Sequence, residues 1–152
     1  MITDNFMAEL IPANTIKVKY FNPKAKLEQH GDWIDLRAAE TVTLEPFQTA
    51  QIKLGVAIQL PQGYEAYVCP RSSTFKKWHI MQTNSIGIID EAYCGDNDEW
   101  QLPVIALEKT TIHEGDRICQ FRIQKKQPKI NIQVVDHLGN KDRGGFGASG
   151  SN

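Results

Sequence analysis

The chain has 152 residues with 17 basic and 18 acidic side chains, a formal charge of -1, and that near balance argues against a protein that coats nucleic acid or a charged membrane surface. The length suffices for one core and does not call for two domains. No run of about 18 apolar residues is present to cross a bilayer, and MITDNFMAEL carries Asp4 and Glu9 where a secretory leader needs a basic start and an unbroken apolar stretch. The expectation is one cytoplasmic domain over 1–152, with no membrane partner and no direct nucleic-acid binding.

Residues 1–14 show no clear period and read as a loosely defined segment. Strand signals then recur at short intervals broken by Gly, Pro, Asn or Asp. They are IKVKYF (16–21), TVTL (41–44), QIKLGVAIQL (51–60), YEAYVC (64–69), LPVIALE (102–108), RICQFRI (117–123) and INIQVV (130–135). In RICQFRI the alternation puts Cys119, Phe121 and Ile123 on one face and Ile118, Gln120 and Arg122 on the other. Helical periodicity is scarce; STFKKWHI, after Pro70, predicts a helix of about two turns capped by Ser72 or Ser73. Many short strands with almost no helix predict an all-β sandwich, jelly roll or barrel.

Cys69, Cys94 and Cys119 form no CxxC pair, and Cys69 and Cys119 lie in strand-like apolar contexts where a free thiol acts as a small hydrophobe. His30, His79, His113 and His137 are scattered without HxxxH spacing, so zinc has little support. The tail GNKDRGGFGASGSN, 139–152, is rich in Gly, Ser and charge and reads as a flexible arm. Phe146 is its anomaly, since a lone aromatic among glycines suits a segment that closes over a flat ligand.

Among the strands sit polar segments able to carry chemistry. PRSS (70–73) sets a guanidinium and two hydroxyls at the expected helix start, where planar donors and unpaired amides suit phosphate oxygens; a solvated arginine in a surface turn accounts for the same residues. In GIIDEAYCG (87–95) two β-branched residues deliver Asp90 between Gly87 and Gly95, a place where partial desolvation would make a carboxylate fit to deprotonate water. A plain turn-forming aspartate is the rival reading, and Glu91, Asp96, Asp98 and Glu99 crowd the same loop, so the base is not singled out. Gln120 in GDRICQ (115–120) either faces solvent or holds a ligand oxygen or water.

Taken in order, DLRAAE (35–40), PRSS, NSIGIIDEAYCG (84–95), GDRICQFRI (115–123) and DRGGFGASG (142–150) resemble the five motifs of the homotrimeric dUTPases, in particular their Gram-positive bacterial and phage-like branch, from about residue 16 to the C-terminus. The resemblance implies a distorted jelly roll or β-barrel with one short helix. It also implies a homotrimer with shared active sites and hydrolysis of dUTP to dUMP and pyrophosphate with Mg2+. By the same resemblance Asp90 is the general base, Gln120 helps hold the water and the α-phosphate, and Arg71, Ser72 and Ser73 bind phosphate. Asn84 and the backbone of Gly87, Ile88 and Ile89 read uracil, and Tyr93 packs on the deoxyribose. Arg143 meets the γ-phosphate, Phe146 covers uracil, Gly147 and Ser149 complete the arm's contacts, and Asp35 holds Mg2+ directly or through water.

Three departures stand out: the approach GDWIDLRA to Asp35, the longer acidic run DNDEW after Gly95, and Ala148 where a hydroxyl is common in the arm. GDWIDLRA and DNDEW resemble phage-type dUTPases of Gram-positive bacteria, some of which bind repressor proteins, so a repressor partner is a secondary expectation. The same-fold dCTP deaminases are the nearest enzymatic rival.

Overall fold

The computed structural model describes residues 11–147; Ser149 and Ala148 lie outside that range. Twelve strands form among them, named here in chain order. The first six are β1 (Lys17–Tyr20), β2 (Glu28–His30), β3 (Trp33–Arg37), β4 (Val42–Leu44), β5 (Thr49–Lys53) and β6 (Val56–Gln59). They are followed by β7 (Tyr64–Pro70), a helix α1 (Thr74–Trp78), β8 (Ile80–Gln82), β9 (Gly87–Ile89), β10 (Gln101–Ala106), β11 (Thr110–Ile112) and β12 (Arg117–Lys125). All pairings are antiparallel. The strands form four sheets: β1-β6, β5-β10-β8, β11-β4 and the five-stranded β2-β3-β12-β7-β9.

The four sheets enclose one apolar cluster. Leu36 of β3, Leu44 of β4, Ile52 of β5, Ile58 of β6, Val68 of β7, Ile80 of β8, Leu102 and Val104 of β10, Ile112 of β11 and Phe121 of β12 all belong to it. Each strand sends alternate side chains inward because the pleat has a period of two, and sheets covered on one face must share a core. At its centre Trp100 meets Phe121 edge to face, with ring centroids 5.0 Å apart, the arrangement favoured by the aromatic quadrupole. The outcome is the expected all-β jelly roll with one short helix.

Several local expectations change. QIKLGVAIQL is two strands, because Gly55 takes φ +70° between β5 and β6. There a Cβ would stand 2.6 Å from Ala25 Cβ and 3.0 Å from Ala39 Cβ, so both the left-handed conformation and the close approach require glycine. A bulge between Arg117 and Cys119 breaks the alternation in β12, and Ile118, expected on the outer face, is fully buried. Cys119 and Phe121 face the core as expected, with Arg122 exposed.

The helix spans only Thr74–Trp78, and Ser73 makes no side-chain cap bond. Its neighbour Thr74 is buried instead; Thr74 Oγ1 accepts from the Arg71 amide at 2.8 Å and donates to the Ile118 carbonyl at 3.0 Å. INIQVV forms no strand: every residue from 124 to 147 is exposed, and Ile130, Ile132 and Val134 present apolar side chains to solvent. A strand needs a neighbour to satisfy its backbone, and this segment pairs with none among the described residues.

Gly55→Ala is expected to lower unfolding stability by roughly 2 kcal/mol or more, from positive-φ strain and overpacking together, read as a drop in midpoint in a urea melt. A change within a few tenths of a kcal/mol would show that the β5–β6 turn yields freely.

Candidate active site

The five-stranded sheet lines up most of the polar residues singled out by sequence. Asp35 on β3 pairs with Gln120 on β12, and Gln120 pairs with Cys69 on β7, one residue before Pro70 and two before Arg71. Three motifs far apart in sequence therefore converge at one end of β7. Gln120 Nε2 donates to the Pro70 carbonyl at 3.2 Å, which leaves Oε1 as an acceptor.

Arg71 is held on three sides. Its Nε lies 3.2 Å from Asp35 Oδ1, its Nη1 donates to the Arg117 carbonyl at 3.0 Å, and its own amide is fixed by Thr74. Nη2 makes no contact among the described residues, so the guanidinium is oriented with one face of donors still open. Ser72 is exposed and Ser73 half-buried beside it. An arginine restrained in this way loses little further freedom when it meets a planar anion such as a phosphate.

Asp35 is only 5% exposed. Its Oδ2 lies 3.2 Å from Arg117 Nη1 and 3.9 Å from His30 Nε2, while Oδ1 faces Arg71. The Mg2+ implied by the resemblance does not fit here: both oxygens face arginine cations, which would repel a third cation, and no group of three His, Cys, Asp or Glu able to hold a metal occurs among the described residues. These surroundings leave no room for a directly held ion at Asp35, and a contact through water to a substrate-borne Mg2+ is the form of the expected role that remains. Asp35 acts as the buried counter-ion of Arg71 and Arg117, a pairing a desolvated carboxylate requires.

The second group of residues lies at the other end of β7. On β9, Gly87 pairs with Val68, Ile88 with Tyr67 and Ile89 with Ala66. Asp90 follows directly, level with Glu65 of β7, so it stands about six residues, roughly 20 Å along the strand, from Arg71. Because β9 is the last strand of its sheet, its outer edge leaves N–H and C=O groups unpaired. Such an edge can read a heterocycle through main-chain hydrogen bonds, the role the resemblance gives Gly87, Ile88 and Ile89.

Asp90 is exposed, without the desolvation envisaged from sequence. Its Oδ1 accepts the Ala92 amide at 2.7 Å and its carbonyl accepts the Tyr93 amide, which leaves Oδ2 without a hydrogen bond in the described chain. The rival carboxylates are largely engaged. Glu91 lies 2.8 Å from Lys126 Nζ and accepts the Gly63 amide, and the lysine bond holds its pKa below the ordinary carboxylate value. Asp98 accepts the Gly95 amide and Glu99 the Gly55 amide.

The acidic run DNDEW thereby has a structural role that sequence reasoning missed. It is a turn closed on itself, and the Glu99 carbonyl receives the Tyr93 hydroxyl at 3.0 Å, fixing the ring expected to pack on the sugar. Asn84 sits in the turn between β8 and β9, beside a cavity of about 450 Å³ lined by Pro70, Arg71, Phe75, Ile80, Met81, Gln82 and Ser85. Arg143, Phe146 and Gly147 lie far out on the arm, all exposed, and the Phe146 ring is wholly open at 114% of its reference area. A single chain thus brings Asp35, Arg71 and Gln120 together and keeps Asp90, Tyr93 and the arm apart from them.

Comparison with known proteins identifies the family. The family model described as dUTPase matches residues 29–151. The SPbeta prophage-derived deoxyuridine 5'-triphosphate nucleotidohydrolase YosS of Bacillus subtilis is 55% identical over 140 residues, covering 90% of this chain and 98% of that protein. The deoxyuridine 5'-triphosphate nucleotidohydrolase of Finegoldia magna is 40% identical over 136 residues, 85% of this chain and 92% of its own. Among solved structures, the Staphylococcus bacteriophage 80alpha dUTPase with dUPNHPP superposes with a TM-score of 0.75 at 28% identity, covering 91% of this chain and 99% of that one. With a family match over most of its length and relatives of this identity, the chain belongs to the dUTPase family, among neighbours that include Gram-positive prophage and phage enzymes.

Proposed function

We propose that the protein hydrolyses dUTP to dUMP and pyrophosphate, keeping uracil out of DNA and supplying dUMP for thymidylate synthesis. The observation that carries this reading is the division of the polar groups between the two ends of β7. The phosphate turn with Arg71 and Gln120 lies at one end, and the uracil-reading edge with Asp90 at the other. A site needing both is completed where one subunit meets another, as in the homotrimer that the family resemblance implies.

Within that site Asp90 Oδ2 takes a proton from a water held also by Gln120 Oε1, and the resulting oxygen attacks the α-phosphorus in line. The Arg71 guanidinium and the Ser72 and Ser73 hydroxyls meet the negative charge that moves onto the departing pyrophosphate. Uracil lies against the β9 edge, where the pattern of main-chain donors and acceptors rejects cytosine, because a mismatched base leaves buried groups unpaired. Tyr93, pinned by the Glu99 carbonyl, stands where a ribose 2'-hydroxyl would fall. Magnesium enters as part of the substrate, chelated by the triphosphate, and no step here is routed through a protein-held ion.

The arm completes the site. From Lys126, whose amide is anchored on the Gly63 carbonyl, to Arg143 the chain can extend roughly 55 Å, enough to reach a neighbouring subunit. Its exposed Ile130, Ile132 and Val134 gain a covering surface there, and Arg143 and Phe146 arrive over the γ-phosphate and uracil, with Gly147 and Ser149 beyond. A repressor-binding role would sit beside this activity; were regulation the sole function, the unmodified protein would have no turnover for Asp90→Ala to remove.

The direct test is proton release against each dNTP with and without magnesium, with selective release expected from dUTP. Ammonia from dCTP would instead assign the deaminase reaction.

Asp90→Asn is expected to lower kcat by about 10²-fold or more while dUTP still binds, the usual scale for a positioned base. Glu91→Gln, in the same loop but paired to Lys126, should leave kcat nearly unchanged. Equal losses in both would remove the assignment of Asp90.

Truncation after Lys141 should raise KM for dUTP while sedimentation still reports a trimer, because residues 142–147 are exposed and outside the core. A monomer on truncation would show that the arm holds the assembly together.

A further inference from the structure

The turn between β8 and β9 does not join paired neighbours. β8 belongs to the sheet of β10, and β9 to that of β7. One side chain bridges the gap: Gln82 Nε2 donates to the Val68 carbonyl at 3.0 Å and to Asn84 Oδ1 at 2.8 Å. A carbonyl can only accept, so the Val68 contact dictates which end of the Gln82 amide points inward, and Asn84 must answer with its oxygen. Asn84 Nδ2 is thereby left as a donor with no hydrogen bond inside the described chain. It lies against the start of the uracil-reading edge, since a Cβ on Gly87 would stand 3.4 Å from both Asn84 Nδ2 and Gln82 Nε2.

The relay is kept although Gln82 Oε1 is buried without any partner. A residue serving only to fill space there would be apolar, because an unsatisfied buried acceptor is unfavourable. We infer that Gln82 is a positioning residue for base selection: it locks the Asn84 amide so that a donor, never an acceptor, faces the base. A uracil carbonyl is complementary to that donor, and the exocyclic amine of cytosine is not. The inference rests on the dUTPase reading proposed above.

Gln82→Glu and Gln82→Leu test it, with kcat and KM measured separately for dUTP and dCTP on the full-length protein. With Glu at this position no donor remains, so Asn84 turns Nδ2 toward the carboxylate and Oδ1 toward the base. The ratio of kcat/KM for dUTP over dCTP is expected to fall by about tenfold or more, the scale on which a site's polar mismatch acts. The change should appear as a raised KM for dUTP, with kcat within about threefold of the unmodified protein, because the reacting atoms are untouched.

Gln82→Leu frees the Asn84 amide to adopt both orientations and should lower the same ratio, which keeps the test decisive if the charged variant does not fold. Unchanged discrimination in a folded variant, or a loss of kcat at constant KM, would overturn the relay. Failure of the unmodified protein to release pyrophosphate from dUTP would instead remove the underlying dUTPase reading.

Discussion

The two-sided pairing of β12 is the constraint on which the rest of this molecule depends. Its nine residues bond to β3 on one side and β7 on the other, so one strand sets the register of the largest sheet. A shift by one residue would turn Phe121 away from Trp100 and bring Gln120 into the core, since side chains alternate strictly across a strand. The bulge at Ile118 is part of the same constraint. It allows an extra residue to be buried just where the Thr74 hydroxyl reaches across to the Ile118 carbonyl, tying the phosphate turn to the strand that carries Gln120.

Electrostatics reinforces that geometry. Asp35 is buried between Arg71, Arg117 and His30, and Arg37 and Glu28 extend the cluster to the surface at 3.3 Å. A buried carboxylate in this setting is stable only while its cations stay in place, and removing one partner leaves an uncompensated charge. The cluster therefore acts as a rigid mount for Arg71, consistent with a site whose chemistry relies on positioning more than on covalent steps. Burial of Cys119 beside it pushes that thiol far above its ordinary pKa, which keeps it an inert core group, as its apolar context in the sequence implied.

Much of the fold was legible along the chain. Strand signals bounded by turn residues marked β1, β4, β7, β10 and β12, and in the outer half of β12 alternation reports directly which face is covered. The segments that misled did so for reasons no pattern carries. Gly55 looked like a tolerated glycine in a long strand, and only the packing of Ala25 and Ala39 against it shows why the chain must turn there. INIQVV has the alternation of a strand, yet it pairs with no strand among the described residues. The resemblance gave Asp35 a metal role, directly or through water, and only its neighbours in space reveal the two arginines beside its oxygens.

The sequence by itself determined the family, the all-β class and the set of polar residues available for chemistry, because these depend on residue types, order and spacing. Tertiary structure alone decided how those residues are divided, with Asp35, Arg71 and Gln120 meeting at one end of β7 and Asp90 with Tyr93 at the other. It also decided what each polar group is already bonded to: Asp35 to arginines, Glu91 to Lys126, Tyr93 to the Glu99 carbonyl, and Asn84 to Gln82. The physical reason is that a hydrogen bond or ion pair acts over about 3 Å, a distance that strand pairing sets between residues such as Asp35 and Arg117, 82 positions apart, and that linear order does not encode.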